Sequence, residues 1–181
     1  GFTIENANFE GILAINVNDL SISENTIQDN DKNLNASSAL CPGLPTFETG
    51  ENADCGEAIH LMGVAHATVA VNLITANAGG ILLSDETGAS HDNLIAHNIV
   101  SDNPYSNGIT LSSNAAAVPI TSPQVTFGVY SNSIYENASL SNGIGGKGGG
   151  GVALLAVGAG HSVYSNSLTG NRMVSNGLAG I

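Results

Sequence analysis

Charge is scarce in this chain, and basic charge most of all. Across 181 residues only Lys32, Lys147 and Arg172 are basic, and the formal net charge is −12. Neutralising nucleic-acid phosphates takes several Lys or Arg, so nucleic acid is excluded as a partner, and anionic membrane surfaces are excluded for the same reason. Trp is absent, and aromatics make up 4% of the chain. Long apolar runs are missing too. Stretches such as Gly151 to Val157 are soon cut by Gly, Asn or Ser, far short of the roughly 20 residues that span a bilayer, so no membrane insertion is expected. Runs this short suit buried strands rather than helices. The acids are uneven, with ten of the fifteen in residues 1–57 and only Glu136 beyond Asp102. The only cysteines, Cys41 and Cys55, lie in one polar segment bearing Pro and Gly. A disulfide between them would be worth roughly 3 kcal/mol in the chain-entropy model and would imply an oxidising compartment. The expected location is therefore extracellular, at the cell surface or periplasmic.

What is present is repetition. The pattern [Ile/Val]-x-x-Asn-x-[Ile/Val/Leu]-x-x-Asn occurs at Ile22–Asn30, Val69–Asn77, Ile95–Asn103, Val129–Asn137 and Val163–Asn171. A second element, a small residue followed by aliphatic-x-aliphatic, precedes each copy: Gly11-Ile12-Leu13-Ala14, Ala58-Ile59-His60-Leu61, Gly80-Ile81-Leu82-Leu83, Gly108-Ile109-Thr110-Leu111 and Gly151-Val152-Ala153-Leu154. A further copy begins at Gly177. Each element reads as a short strand that cannot bury its apolar face alone, whereas stacked equivalent coils make a continuous core. Asn at a fixed corner is expected to take left-handed backbone and to bond its counterpart in the next coil, and Gly to permit the other corner. Coils of about 20–25 residues are too short for crossover helices. The expected fold is all-β: a single-stranded right-handed parallel β-helix of about six to seven coils with an Asn ladder. It forms one domain over 1–181, with insertion loops at 31–57, 84–92, 112–124 and 138–150. The chain opens and closes inside repeat elements, so it reads as a segment of a longer chain whose open ends could stack on another β-helix.

Gly-Ile-x-Leu followed by Ile-x-x-Asn-x-Ile-x-x-Asn resembles the parallel β-helix repeats of the pectin-lyase-like superfamily. The closer likeness is to NosD-like and carbohydrate-binding-and-sugar-hydrolase repeat proteins, clearest over residues 88–111. The resemblance covers nearly the whole chain and implies an exported protein with polysaccharide as partner. It does not choose between a binding or surface scaffold, a polysaccharide-processing enzyme and a structural stalk, because the superfamily hosts all of these. The basic residues that lyases of this fold use are not placed beside acid clusters, and the motifs of its polygalacturonases and uronan epimerases are absent. These gaps lean against catalysis in this segment.

The densest polar constellation is Asp85, Glu86, His91 and Asp92, in the loop 84–92. Carboxylates beside an imidazole could serve as acid and base or bind a cation, and the plainer reading is a solvated acidic loop. Asp92 and His66 each lie six residues before a repeat Asn, so they should sit one coil, about 4.8 Å, apart. His60 is the outward residue of the strand that begins the coil of His66, so His60 and His66 are candidate ligand-binding residues on the floor of a groove. Tyr130 and Tyr164 share a register position and should stack outward, where an aromatic pair could bind sugar. No motif calls for a cofactor or a metal; calcium is the cation that the acids could take. His97 and His161 read as ordinary corner residues, with Glu24, Val71, Ser131 and Ser165 equivalent to His97.

Overall fold

A computed structural model describes residues 1–30, 57–114, 126–145, 149–156 and 158–181. Among these, every regular element is a β-strand, and every strand pair is parallel. The strands stack in four sheets, each coil adding at most one strand to each sheet, as in a parallel β-helix. The first sheet holds β2 (Ile12–Ile15), β5 (Glu57–Met62), β8 (Gly79–Ser84), β12 (Ile109–Ser113) and β16 (Val152–Ala156). The second is the shortest, with β9 (Ser90–His91), β13 (Val129–Tyr130) and β17 (Val163–Tyr164). The third contains β3 (Ser21–Ser23), β6 (Thr68–Ala70), β10 (Leu94–Ala96), β14 (Ser133–Tyr135) and β18 (Ser167–Thr169). The fourth runs through β1 (Thr3–Glu5), β4 (Thr26–Gln28), β7 (Leu73–Thr75), β11 (Ile99–Ser101), β15 (Ala138–Leu140) and β19 (Arg172–Val174).

Inward aliphatics stack coil on coil. Ile59, Ile81, Ile109 and Val152 occupy one column of the core, and Leu61, Leu83 and Leu111 the next. At about 25 cal/mol per Å² such columns supply most of the drive to fold. In β5 and β8 the outward residues are buried as well, so the sheet is covered on both faces at these two strands, whereas β16 is largely exposed.

Asparagine forms three ladders rather than one. Asn25, Asn72, Asn98, Asn137 and Asn171 make the first, Asn30, Asn77, Asn103, Asn142 and Asn176 the second, and Asn93, Asn132 and Asn166 the third. An interior rung uses its amide fully. Asn98 Nδ2 donates to Val69 O at 2.9 Å and to Asn137 Oδ1 at 3.0 Å, and that same Oδ1 also accepts from Asn98 N at 3.0 Å. A buried carboxamide satisfied at this level avoids the desolvation cost of an orphaned donor.

Four expectations need correction. First, the ladder Asn does not take the left-handed conformation; the residue before it does. Glu24 (φ 59°), Val71 (φ 59°), His97 (φ 56°) and Glu136 (φ 50°) precede Asn25, Asn72, Asn98 and Asn137. Second, the repeat copies at Val129 and Val163 are one element out of step. Ile134 and Leu168, not Val129 and Val163, align with Ile22, Val69 and Ile95, while Val129 pairs with Ser90. Successive strands are five residues apart around two corners of the coil, so the sequence pattern matches itself when slid by one strand. The structural equivalents of His97 therefore include Glu136 rather than Ser131. Third, Gly80 and Gly108 do not turn a corner through left-handed backbone. They let neighbouring coils approach: a Cβ on Gly80 would run into the carbonyl of Gly108, and one on Gly108 into Ser139 Oγ. Fourth, the insertion placed at 138–150 starts later, because Ala138–Leu140 is strand β15, paired on both sides. The outer loops likewise yield Glu57 to β5, Ser84 to β8, Ser90–His91 to β9 and Ser112–Ser113 to β12.

Candidate functional site

The shortest sheet carries an outward strip of rings, half-buried at His91 and Tyr130 and exposed at Tyr164. His91, Tyr130 and Tyr164 occupy one register position, and their outward side chains stack along the helix axis. The His91 and Tyr130 centroids are 5.0 Å apart at 3°, and those of Tyr130 and Tyr164 are 5.0 Å apart at 19°. The tyrosine pair was legible from spacing; His91 as its third member was not, because the sequence was registered on Asn98 rather than on Asn93, two residues after His91. Burial, then the neighbouring Tyr164 and Asp92, push the Tyr130 phenol above its ordinary range, so it stays a neutral donor.

Isolated bridges continue the strip upstream through Ala65 and Asn18. Ala65 has no ring to offer, and its space beside His91 is taken by His66. The His66 ring meets His91 edge-on, with centroids 5.8 Å apart. His66 (φ 57°) and Asp92 (φ 54°) are the left-handed corner residues of consecutive coils, a conformation that His and Asp tolerate better than most side chains. The expected one-coil relation between them holds: His66 N donates to His91 O, one residue before Asp92. Asp92 Oδ2 lies 2.7 Å from His91 Nδ1. One ligand-type atom from each of His66, His91 and Asp92 falls within 4.8 Å of the others.

The other carboxylates of the constellation point elsewhere. Asp85 is fully buried (0% exposed) and Glu86 nearly so, which corrects the reading of a solvated acidic loop. Asp85 Oδ2 accepts from Ser113 Oγ (2.8 Å) and Gly128 N (2.7 Å), while Oδ1 accepts from Asn114 N (2.8 Å). Glu86 Oε1 accepts from Asn114 Nδ2 at 2.6 Å. The two carboxylates thus tie the start of the loop after β12 to the loop before β9. Burial raises the Asp85 carboxyl above the usual range, although its three donors pull the other way. A small cavity of about 140 Å³ borders Asp85, Ser113, Asn114, Phe127 and His161. His161 Nδ1 faces Ser113 O at 3.0 Å, and Ser113 Oγ donates to Asp85. The imidazole thus meets the Ser113 carbonyl and not its hydroxyl. The sequence reads His161 as an ordinary corner residue, and nothing in the repeat singles out Ser113 as its neighbour.

His60 also needs correction. It is outward by strand alternation but completely buried, with Nε2 2.7 Å from Ser84 Oγ and Nδ1 3.3 Å from Glu10 Oε1. It cannot floor an open groove with His66. A second exposed cluster lies on the third sheet's side, where His97 Nδ1 is 3.4 Å from Glu136 Oε2 and its ring meets Tyr135 edge-on. Cys41, Cys55 and the segment between them lie outside the described residues. Among the described residues no helix is long and apolar enough to cross a membrane.

Chemically, the strip offers hydroxyls and imidazoles at a regular coil spacing, but no pair of open carboxylates within it. The family model described as right-handed beta helix region matches residues 1–168. No curated protein and no solved structure matches the chain.

Proposed function

The chain belongs to the right-handed β-helix family, and from that premise we propose that it is a non-catalytic scaffold that binds polysaccharide along the strip of His91, Tyr130 and Tyr164. The observation that carries this reading is the equal 5.0 Å spacing of the three rings on an open face. That step is comparable to the advance of one sugar along an extended glycan, so a chain laid parallel to the axis meets a polar group at each coil. The rings spend their faces on one another, which leaves hydroxyls and ring edges to hydrogen-bond the glycan; the Tyr164 ring ends the stack and is 48% exposed, free to cover an apolar sugar face. The net charge of −12 favours a neutral glycan over a polyuronate. Asp85 and Glu86 are engaged in internal hydrogen bonds, which argues against an acid–base pair. This reading sets the protein outside the cytoplasm, extracellular, at the cell surface or periplasmic.

The test is affinity electrophoresis through neutral and acidic polysaccharides, with a parallel assay for released reducing ends and unsaturated uronates. Retardation in a neutral glycan, lost in a Tyr130→Ala/Tyr164→Ala double variant and without product release, is the expected result. Equal retardation of the double variant would overturn the assignment of the strip, and product release would replace the scaffold with an enzyme.

A further inference from the structure

We propose that His66, His91 and Asp92 form a binding site for a divalent transition-metal ion such as Zn²⁺. Donor geometry comes first. Two imidazole nitrogens and a carboxylate oxygen already fall within 4.8 Å of one another. Ligand atoms of a tetrahedral ion with bonds of about 2.0–2.1 Å stand somewhat closer than that. The remaining approach needs only side-chain rotation, since His66 and Asp92 are exposed.

The backbone beneath the donors is fixed. His66 and Asp92 sit at equivalent corners of adjacent coils, and His91 lies in strand β9, bonded on both sides. Tyr130 lies flat against the His91 ring at 3°, which holds the plane of that ring before any ion arrives. Such preorganisation lowers the entropy cost of coordination.

Donor chemistry selects the ion. Calcium takes six or more oxygens, and this site supplies one carboxylate. Imidazole nitrogen suits zinc, copper, nickel and cobalt instead. The three protein donors leave a coordination position for water or for a ligand lying on the strip. The site is independent of polysaccharide binding.

The experiment uses the full chain, tag-free and stripped of metal, titrated with Zn²⁺, Co²⁺ and Ca²⁺ by calorimetry, with Co²⁺ absorption recorded in parallel. We expect one equivalent of Zn²⁺ or Co²⁺, no Ca²⁺ binding, and a Co²⁺ spectrum without thiolate charge-transfer bands. His66→Asn and Asp92→Asn keep residues that tolerate the left-handed corner, and His91→Phe keeps the ring stack. Each should weaken Zn²⁺ by at least about 10–100-fold, the loss that follows even from removing an outer-shell partner. His97→Asn, at the other exposed histidine–carboxylate pair, should leave the affinity unchanged. Circular dichroism melts of all four variants confirm folding. Absence of saturable Zn²⁺ binding, unchanged affinity in the three site variants, or a thiolate spectrum pointing to Cys41 and Cys55 would each overturn the proposal.

Discussion

His60 and His66 lie on a single coil, one corner apart, and end in opposite surroundings. His60 is fully buried between Glu10 and Ser84, while His66 is exposed beside His91 and Asp92. Residue type and strand alternation do not separate them. The difference lies in the neighbouring coils: the first sheet is covered on its outer face at β5 and β8, whereas the shortest sheet is open. Two carboxylates of the following coil divide in the same way. Asp85 turns inward onto three donors, and Asp92, seven residues later, stays at the surface. A histidine–carboxylate pair in a solenoid is thus a packing element or an open site according to which sheet it stands on.

The sharpest way to break that contrast is at the carboxylates. Asp85→Ala orphans the buried donors of Ser113, Asn114 and Gly128 and should cost roughly 3 kcal/mol, whereas Asp92→Gly, at a left-handed corner, should stay within about 0.5 kcal/mol. Urea unfolding of the two variants measures both. Next come the histidines. His60→Leu removes its hydrogen bonds to Glu10 and Ser84 and should cost about 1–3 kcal/mol, against about 0.5 kcal/mol or less for His66→Gly; equal losses would show that exposure does not divide the two sites.

Smaller effects sharpen the same comparison. The Asp85 carboxyl is raised in the folded state, first by burial. The folded protein therefore holds that proton more tightly than the unfolded chain does. Its contribution is fully present below about pH 3.9 and is lost as pH rises through the higher folded value. Stability measured across that window should fall with rising pH in the wild type, and the slope should flatten in Asp85→Asn but persist in Asp92→Asn. The smallest change is a gain. Val71 is a β-branched residue held at φ 59° and is 56% exposed, so Val71→Asn should raise stability by about 1 kcal/mol. His66→Asn, at the corresponding kind of corner, should change it little. Thermal or urea midpoints decide between the two.

Much of this was legible before any coordinates. Aliphatic alternation and recurrent Asn give the coil, because only stacking can bury such short strands, and the equal offset of Tyr130 and Tyr164 from their Asn residues gives the stacked pair. The relation of Asp92 to His66 followed from counting to Asn98 and Asn72. What misled was the pattern's own symmetry. A repeat that recurs every five residues within a coil can be slid by one strand without penalty in sequence, so Val129 was placed where Ile134 belongs, and His91 was not joined to the tyrosines. Inter-coil hydrogen bonds remove that freedom, since a slipped coil would lose its Asn partners and its aliphatic columns together.

Residue types at repeated spacing are enough to specify the kind of solid this chain builds: parallel coils around an Asn-laddered, aliphatic core. They suffice because every coil solves the same burial problem. Which polar groups are available depends instead on packing between distant segments. Insertions change the coil from 23 to 47 residues, and the neighbours of Asp85 and His60 come from segments up to 50 residues away. Whether a side chain meets water, a main-chain donor or another imidazole depends on those distant segments, and no local pattern carries that information.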